Sequence, residues 1–146
     1  MPEEEDDDDV FLAGAAAASG LAASGLLAAA AADSDHVVVT GDIHLAAVAQ
    51  LRAGDNATGT PVGVEFVTTS ISSGPPPKRV IQAYQRDGND VLFADGDRRG
   101  YLWMEIGPQR LEARLQGYDS VREETGAAER TLFTCALEDG RRGLQR

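Results

Sequence analysis

Apolar and polar positions divide this chain into a few strand-like runs separated by turn chemistry. In His36-Val37-Val38-Val39-Thr40, three consecutive β-branched residues predict a short buried strand suited to a sheet centre. Residues 45–52 are apolar at Leu45, Ala46, Ala47, Val48, Ala49 and Leu51, a pattern that fits a strand or a short helix. Over 62–69, Val62, Val64, Phe66 and Thr68 alternate with Gly63, Glu65, Val67 and Thr69, which predicts a strand with mixed faces. Residues 101–106 and 110–115 read as two strands around Gly107-Pro108-Gln109, a hairpin. The run 131–137 reads as the last strand. Between these lie the turn-rich segment 53–61 and the break Ser73-Gly74-Pro75-Pro76-Pro77-Lys78, whose prolines favour an extended conformation. A short helix is expected over 79–86.

The first third has a different texture. Residues 10–32 are weakly apolar without interruption, yet only Val10, Phe11, Leu12, Leu21, Leu26 and Leu27 are bulky. A helix of that length could reach across a bilayer, but Ala, Gly and Ser contribute little transfer energy. No membrane span is therefore favoured, and an Ala-rich helix packed on the domain is expected. A secretory signal needs positive charge ahead of its apolar run, and here that charge is negative. Three regions follow: an acidic disordered tail at 1–9, an Ala-rich helical segment at 10–35, and a domain at 36–146.

Charge changes this picture in one respect. The net charge is −11, and the seven acids from Glu3 to Asp9 account for most of it, leaving −4 for the remainder. Such a balance excludes a nucleic-acid-binding patch, which needs clustered Lys and Arg. The single cysteine, Cys135, cannot form an internal disulfide and sits in an apolar run, so a buried inert thiol is expected. Asn56-Ala57-Thr58 fits a glycosylation pattern but reads as a loop.

Candidate chemistry centres on Gly41-Asp42-Ile43-His44. In an extended segment, positions two apart project to one side. A carboxylate and an imidazole that converge at a strand end can share a metal ion: carboxylate suits hard cations such as calcium, and imidazole suits iron or zinc. The plainer reading is a turn in which Asp42 caps backbone amides and His44 packs or hydrogen-bonds. Ser70, Ser72 and Ser73 lack a nucleophile elbow or a Ser-x-x-Lys pattern, and read as a polar loop near the cleft. Glu65 reads as a structural hydrogen-bonding residue. Arg98 and Arg99 have the group that pairs with phosphate, but read first as ion-paired residues.

Four segments together carry a resemblance. Residues 37–44 resemble the VVLTGDVH segment of alkaline phosphatase D-like (PhoD-like) metallophosphatases. Residues 61–73 resemble the VGTEFVTPSISS stretch of that family, 95–101 its DxxRRGY segment, and 137–145 its closing VEDGRPGLQ. The resemblance covers about residues 36 to 145 and leaves the first 35 poorly matched. It implies part of a calcineurin-like α/β/β/α metallophosphoesterase sandwich, here a β-rich C-terminal half with an N-terminal Ala-rich helix. It implies a calcium and iron centre acting on phosphate mono- and diesters, with Asp42 as a metal ligand. His44 would be a ligand or a catalytic group touching the phosphate. By the same resemblance residues 45–52 are a strand.

Two departures shape the expectation. Gly88-Asn89-Asp90 stands where the family has Asn-Pro-His, and the upstream metal motifs have no counterpart before His36. The resemblance thus implies a C-terminal portion that is inactive alone and exposes sheet edges that favour self-association. The alternatives are a non-catalytic β-rich structural or binding module, or half of a split enzyme completed by another chain. Members of the family are often exported; no signal peptide is seen here, and location is left open.

Overall fold

In the computed structural model, the described residues are 36–52, 59–87, 90–122 and 127–145. The acidic tail, the Ala-rich segment and Asn56 lie outside them. Eight strands and one helix appear among the described residues. They are β1 (His36–Thr40), β2 (Ala46–Arg52), β3 (Pro61–Val67), α1 (Lys78–Asp87), β4 (Val91–Asp95), β5 (Arg99–Ile106), β6 (Arg110–Tyr118), β7 (Glu129–Glu138) and β8 (Arg141–Gln145).

The strands form two four-stranded sheets, ordered β1-β3-β2-β4 and β5-β6-β7-β8. Only β1 and β3 run parallel; β2 is antiparallel to both β3 and β4. The second sheet is an antiparallel meander. Alternation along the strands explains how the sheets meet. Ala46 and Val48 of β2 and Val64 and Phe66 of β3 face Ala113 and Leu115 of β6 and Cys135 and Leu137 of β7, forming one buried core. Cys135 is a buried thiol, as its apolar run implied.

The intervening positions of the first sheet face the other way. Ala47 and Val67, with Leu45, pack against Val80 and Tyr84 of α1 and against Ala94. Val80 and Tyr84 are four residues apart and so share one helix face. The small side chains Ala46 and Ala47 let β2 be covered on both faces. The layers are thus helix, sheet, sheet. Among the described residues no helix covers the outer face of the second sheet.

That outer face is polar. Trp103 lies opposite Arg114, whose guanidinium sits 4.8 Å from the indole ring centre. Arg110 bridges Glu112 and Glu138, and Arg141 also reaches Glu138. These exposed pairs suit a wet surface and contribute little stability individually.

Three expectations change. Among the described residues, β1 lies at the edge of its sheet and not at its centre, with β3 as its neighbour. Val37 and Val39 share a face with Val64 and Phe66 through the parallel register, yet are 38% and 49% exposed because the second sheet does not reach over them. Second, Thr131–Leu137 is not the last strand. Glu138 pairs with Arg141 across Asp139-Gly140, and Gly140 takes φ 73°, a conformation glycine adopts without strain. Third, Val91–Asp95 is a strand that was not anticipated; it borders β2, where Leu92 and Phe93 join the core. The ambiguous segment 46–52 is a strand, and the helix and the hairpin around Gly107 lie where expected. In that hairpin the Gly107 N–H donates to the Arg110 carbonyl at 2.8 Å.

Phe66 is among the largest fully buried side chains. Phe66→Ala is expected to cost about 3–5 kcal/mol, from lost burial and the cavity left behind. A urea titration followed by Trp103 fluorescence measures it.

Candidate functional site

The turn 41–45 leaves the C-terminal end of β1, and the loop 68–73 leaves the C-terminal end of β3 beside it. Carboxyl ends of neighbouring parallel strands are where α/β sheets commonly hold ligands. The two exits are stitched together: the Thr68 N–H donates to the Thr40 carbonyl at 2.9 Å, and the Thr68 hydroxyl reaches the same oxygen at 3.1 Å. Gly41 passes close to Thr68, and a Cβ at Gly41 would stand 3.2 Å from the Thr68 hydroxyl oxygen.

The backbone then enters a rare conformation twice. Asp42 has φ 80° and His44 has φ 56°, both left-handed. Asp and His tolerate this region better than most residues, yet each instance costs about 1–3 kcal/mol. Ile43, between them, packs against the cluster of Leu45, Ala47 and Val67. Residues 42–44 form a bend, so the extended geometry assumed for the Asp42–His44 spacing is not what is found. Asp42 is exposed and His44 half-buried. Among the described residues, the Asp42 carboxylate caps no amide and the His44 ring makes no hydrogen bond or ion pair. Asp42 thus lacks the amide contacts of the capping reading, while the half-buried His44 fits its packing part.

Behind the turn lies a polar clamp. The Thr69 hydroxyl is 3.3 Å from the His44 carbonyl and 3.2 Å from the Arg98 carbonyl. Arg99 is buried and donates to the Ser70 hydroxyl at 3.0 Å, to the Ser73 carbonyl at 2.9 Å and to the Gly96 carbonyl. Burial pulls its guanidinium below the ordinary range, with Asp95 and Asp97 opposing the shift. Asp95 organises the turn ahead of Arg99: its carboxylate accepts from the Asp97 and Arg98 N–H groups, each at 3.0 Å, and pairs with the Arg98 side chain at 2.7 Å.

Arg98 also pairs with Asp119 at 2.9 Å. Neither arginine of the pair points a free guanidinium at the turn; both are committed to fold contacts. Ser70 is likewise occupied, since its hydroxyl donates to the Ser73 carbonyl at 2.9 Å. Glu65 is buried and accepts from the Thr40 hydroxyl at 2.9 Å, the structural role its position suggested. Asp90, near the place of the absent family histidine, pairs with Arg52. The contributions of Thr68 and Thr69 were not foreseen. Their only sequence signal is a threonine pair where the alternating strand ends.

The donor set can be tested against a metal. Asp42 and His44 offer a carboxylate and an imidazole with no competing partner among the described residues, chemistry that suits calcium or iron. Among the described residues, no three His, Cys, Asp or Glu side chains gather at one point. Two such groups fall short of a whole metal centre.

Comparison with known proteins adds the family context. The profile of the PhoD-like phosphatases matches residues 10–115, starting within the Ala-rich segment and ahead of the resemblance noted from His36 onward. A solved structure, "Structure of PhoD", is 26% identical and superposes with a TM-score of 0.61. The match covers 75% of this chain and 21% of that one, so the chain spans about a fifth of that protein's length. No curated protein matches the chain.

Losing Arg99 should cost more than losing Arg98. Arg99→Met strands the buried Gly96 carbonyl, at about 1–3 kcal/mol, and loosens the part-buried contacts to Ser70 and Ser73. Arg98→Met removes part-exposed ion pairs, which contribute little. Thermal melts of the two variants check the order.

Proposed function

The chain belongs to the PhoD-like phosphatase family, and on that premise we propose that it is a C-terminal portion of a metal-dependent phosphoester hydrolase in which Asp42 and His44 form one corner of the metal centre. The observation that carries this reading is the pair of left-handed residues, one position apart, whose ligand groups have no partner among the described residues. Strained backbone of this kind persists where function keeps it. The substrate class is a phosphate mono- or diester, and the expected cations are calcium and iron. A bound cation supplies Lewis-acid polarisation of a phosphoryl oxygen. Asp42 contributes hard anionic oxygen to it, and His44 is a second ligand or a contact to the phosphate.

The helix–sheet–sheet order supports placing these strands within a calcineurin-like α/β/β/α sandwich. The fourth layer and the Ala-rich helix of 10–35 belong to the same proposal. No helix of the described residues is long and apolar enough to cross a membrane.

With no three ligand side chains gathered among the described residues, the chain alone is expected to hold metal weakly and to turn over little substrate. Manganese, a paramagnetic stand-in, should broaden the NMR signals of Asp42 and His44 selectively, and Asp42→Ala should abolish the effect. Unbroadened turn signals would sink the metal-corner reading. Nitrophenol release from bis-nitrophenyl phosphate, with calcium and iron supplied, should remain near background. Substantial turnover that Asp42→Ala removes would contradict the inactivity of the isolated chain.

The incomplete donor set also favours a second reading, a non-catalytic β-rich module or one half of a split enzyme. Self-association is part of either version. Val37 and Val39 are half-exposed on a strand that pairs with β3 alone among the described residues, an apolar surface of the kind that recruits another chain. Light scattering should show species larger than a monomer, and Val39→Lys should reduce them. A monodisperse monomer would contradict this.

A further inference from the structure

Two left-handed residues separated by one position need neighbours that over-determine them. On the N-terminal side, Thr68 holds the Thr40 carbonyl through both its N–H and its hydroxyl. In the middle, Ile43 is anchored in the cluster under α1. On the C-terminal side, among the described residues, the polar side-chain contact to the His44 backbone is the Thr69 hydroxyl, 3.3 Å from the His44 carbonyl.

That hydroxyl occupies a junction. It also lies 3.2 Å from the Arg98 carbonyl, at the start of the segment where Arg99 ties down Ser70, Ser73 and Gly96. A hydroxyl has one proton, so it serves the two carbonyls in alternation or as a shared bond. Either way it couples the exit of β1 to the β4–β5 turn through a loop that Arg99 makes rigid. Arg99 is 6% exposed, so this reference frame is buried and fixed, while the turn it supports is open to solvent.

We propose that Thr69 is a positioning residue: its hydroxyl holds the His44 peptide in the left-handed conformation and thereby aims the imidazole alongside the Asp42 carboxylate. It acts through the backbone and touches neither substrate nor cation. The proposal rests on Asp42 and His44 being the functional pair, but its first readout does not. Valine is the matched probe, since it keeps the shape of threonine and removes the hydroxyl; serine keeps the hydroxyl and removes the methyl group.

The test compares the full chain with Thr69→Val and Thr69→Ser by NMR. In the parent chain, the 13Cα shifts of Asp42 and His44 carry the left-handed signature. Thr69→Val should lose it at His44 and should lose the manganese broadening there, with the signals of β5 to β8 in place. Thr69→Ser should retain both. An unchanged His44 shift in Thr69→Val would overturn the proposal, as would equal loss in the two variants, which would assign the effect to packing. If Thr69→Val does not fold, Thr69→Ala takes its place; a chain that folds only with a hydroxyl at 69 would overturn positioning in favour of a general structural role. Absence of manganese broadening in the parent chain would remove the metal reading and leave the shift comparison to decide the role of Thr69.

Discussion

Strand β3 is the member on which the other elements depend. It pairs with β1 on one side and β2 on the other. Its Val64 and Phe66 fill the core between the sheets, while Val67 faces the helix. A strand covered on both faces and bonded along both edges has no freedom of register, because a slip of one residue would exchange its two faces. The ends of β1 and β3 are therefore held in fixed relation. That relation places the turn 41–45 against the loop 68–73.

The turn exploits this rigidity. Strain at Asp42 and His44 is small beside the burial of Phe66 and its neighbours, so the fold can carry it. The same logic explains the arginine pair. Arg98 is spent on two aspartates at the surface, and Arg99 on loop carbonyls and Ser70 in the interior. A guanidinium, with donors in a planar fork, can satisfy several acceptors of an irregular loop at once. The loop after β3 is in effect built around Arg99.

The two sheets face different surroundings. The first has helix and core on its two faces and, among the described residues, has β1 at one edge. The second has a dry inner face and a wet outer one, laced with charged pairs and the Trp103–Arg114 stack. The asymmetry separates a surface adapted to water from an edge, at Val37 and Val39, that is not.

Much of this was legible from local pattern. Alternation at 62–68 located β3, and turn chemistry at Gly107-Pro108-Gln109 located the hairpin. The Gly-Asp-Ile-His turn and three further segments pointed to the family. Local pattern did not show that β1 lies at an edge. Three valines in succession state that a segment prefers a sheet, and burial on each side depends on which strands arrive there. It also missed β4, whose run is short, and β8, whose hairpin signal is the pair Asp139-Gly140. The site divides in the same way. Sequence by itself determined which groups are available, a carboxylate and an imidazole two positions apart at the end of a strand. Tertiary structure alone decided that they sit on left-handed backbone, that Arg98 and Arg99 are committed elsewhere, and that Thr69 stands behind His44. Apart from the local Arg98–Asp95 pair, those outcomes depend on contacts between residues some 21 to 29 positions apart, which no local window of sequence contains.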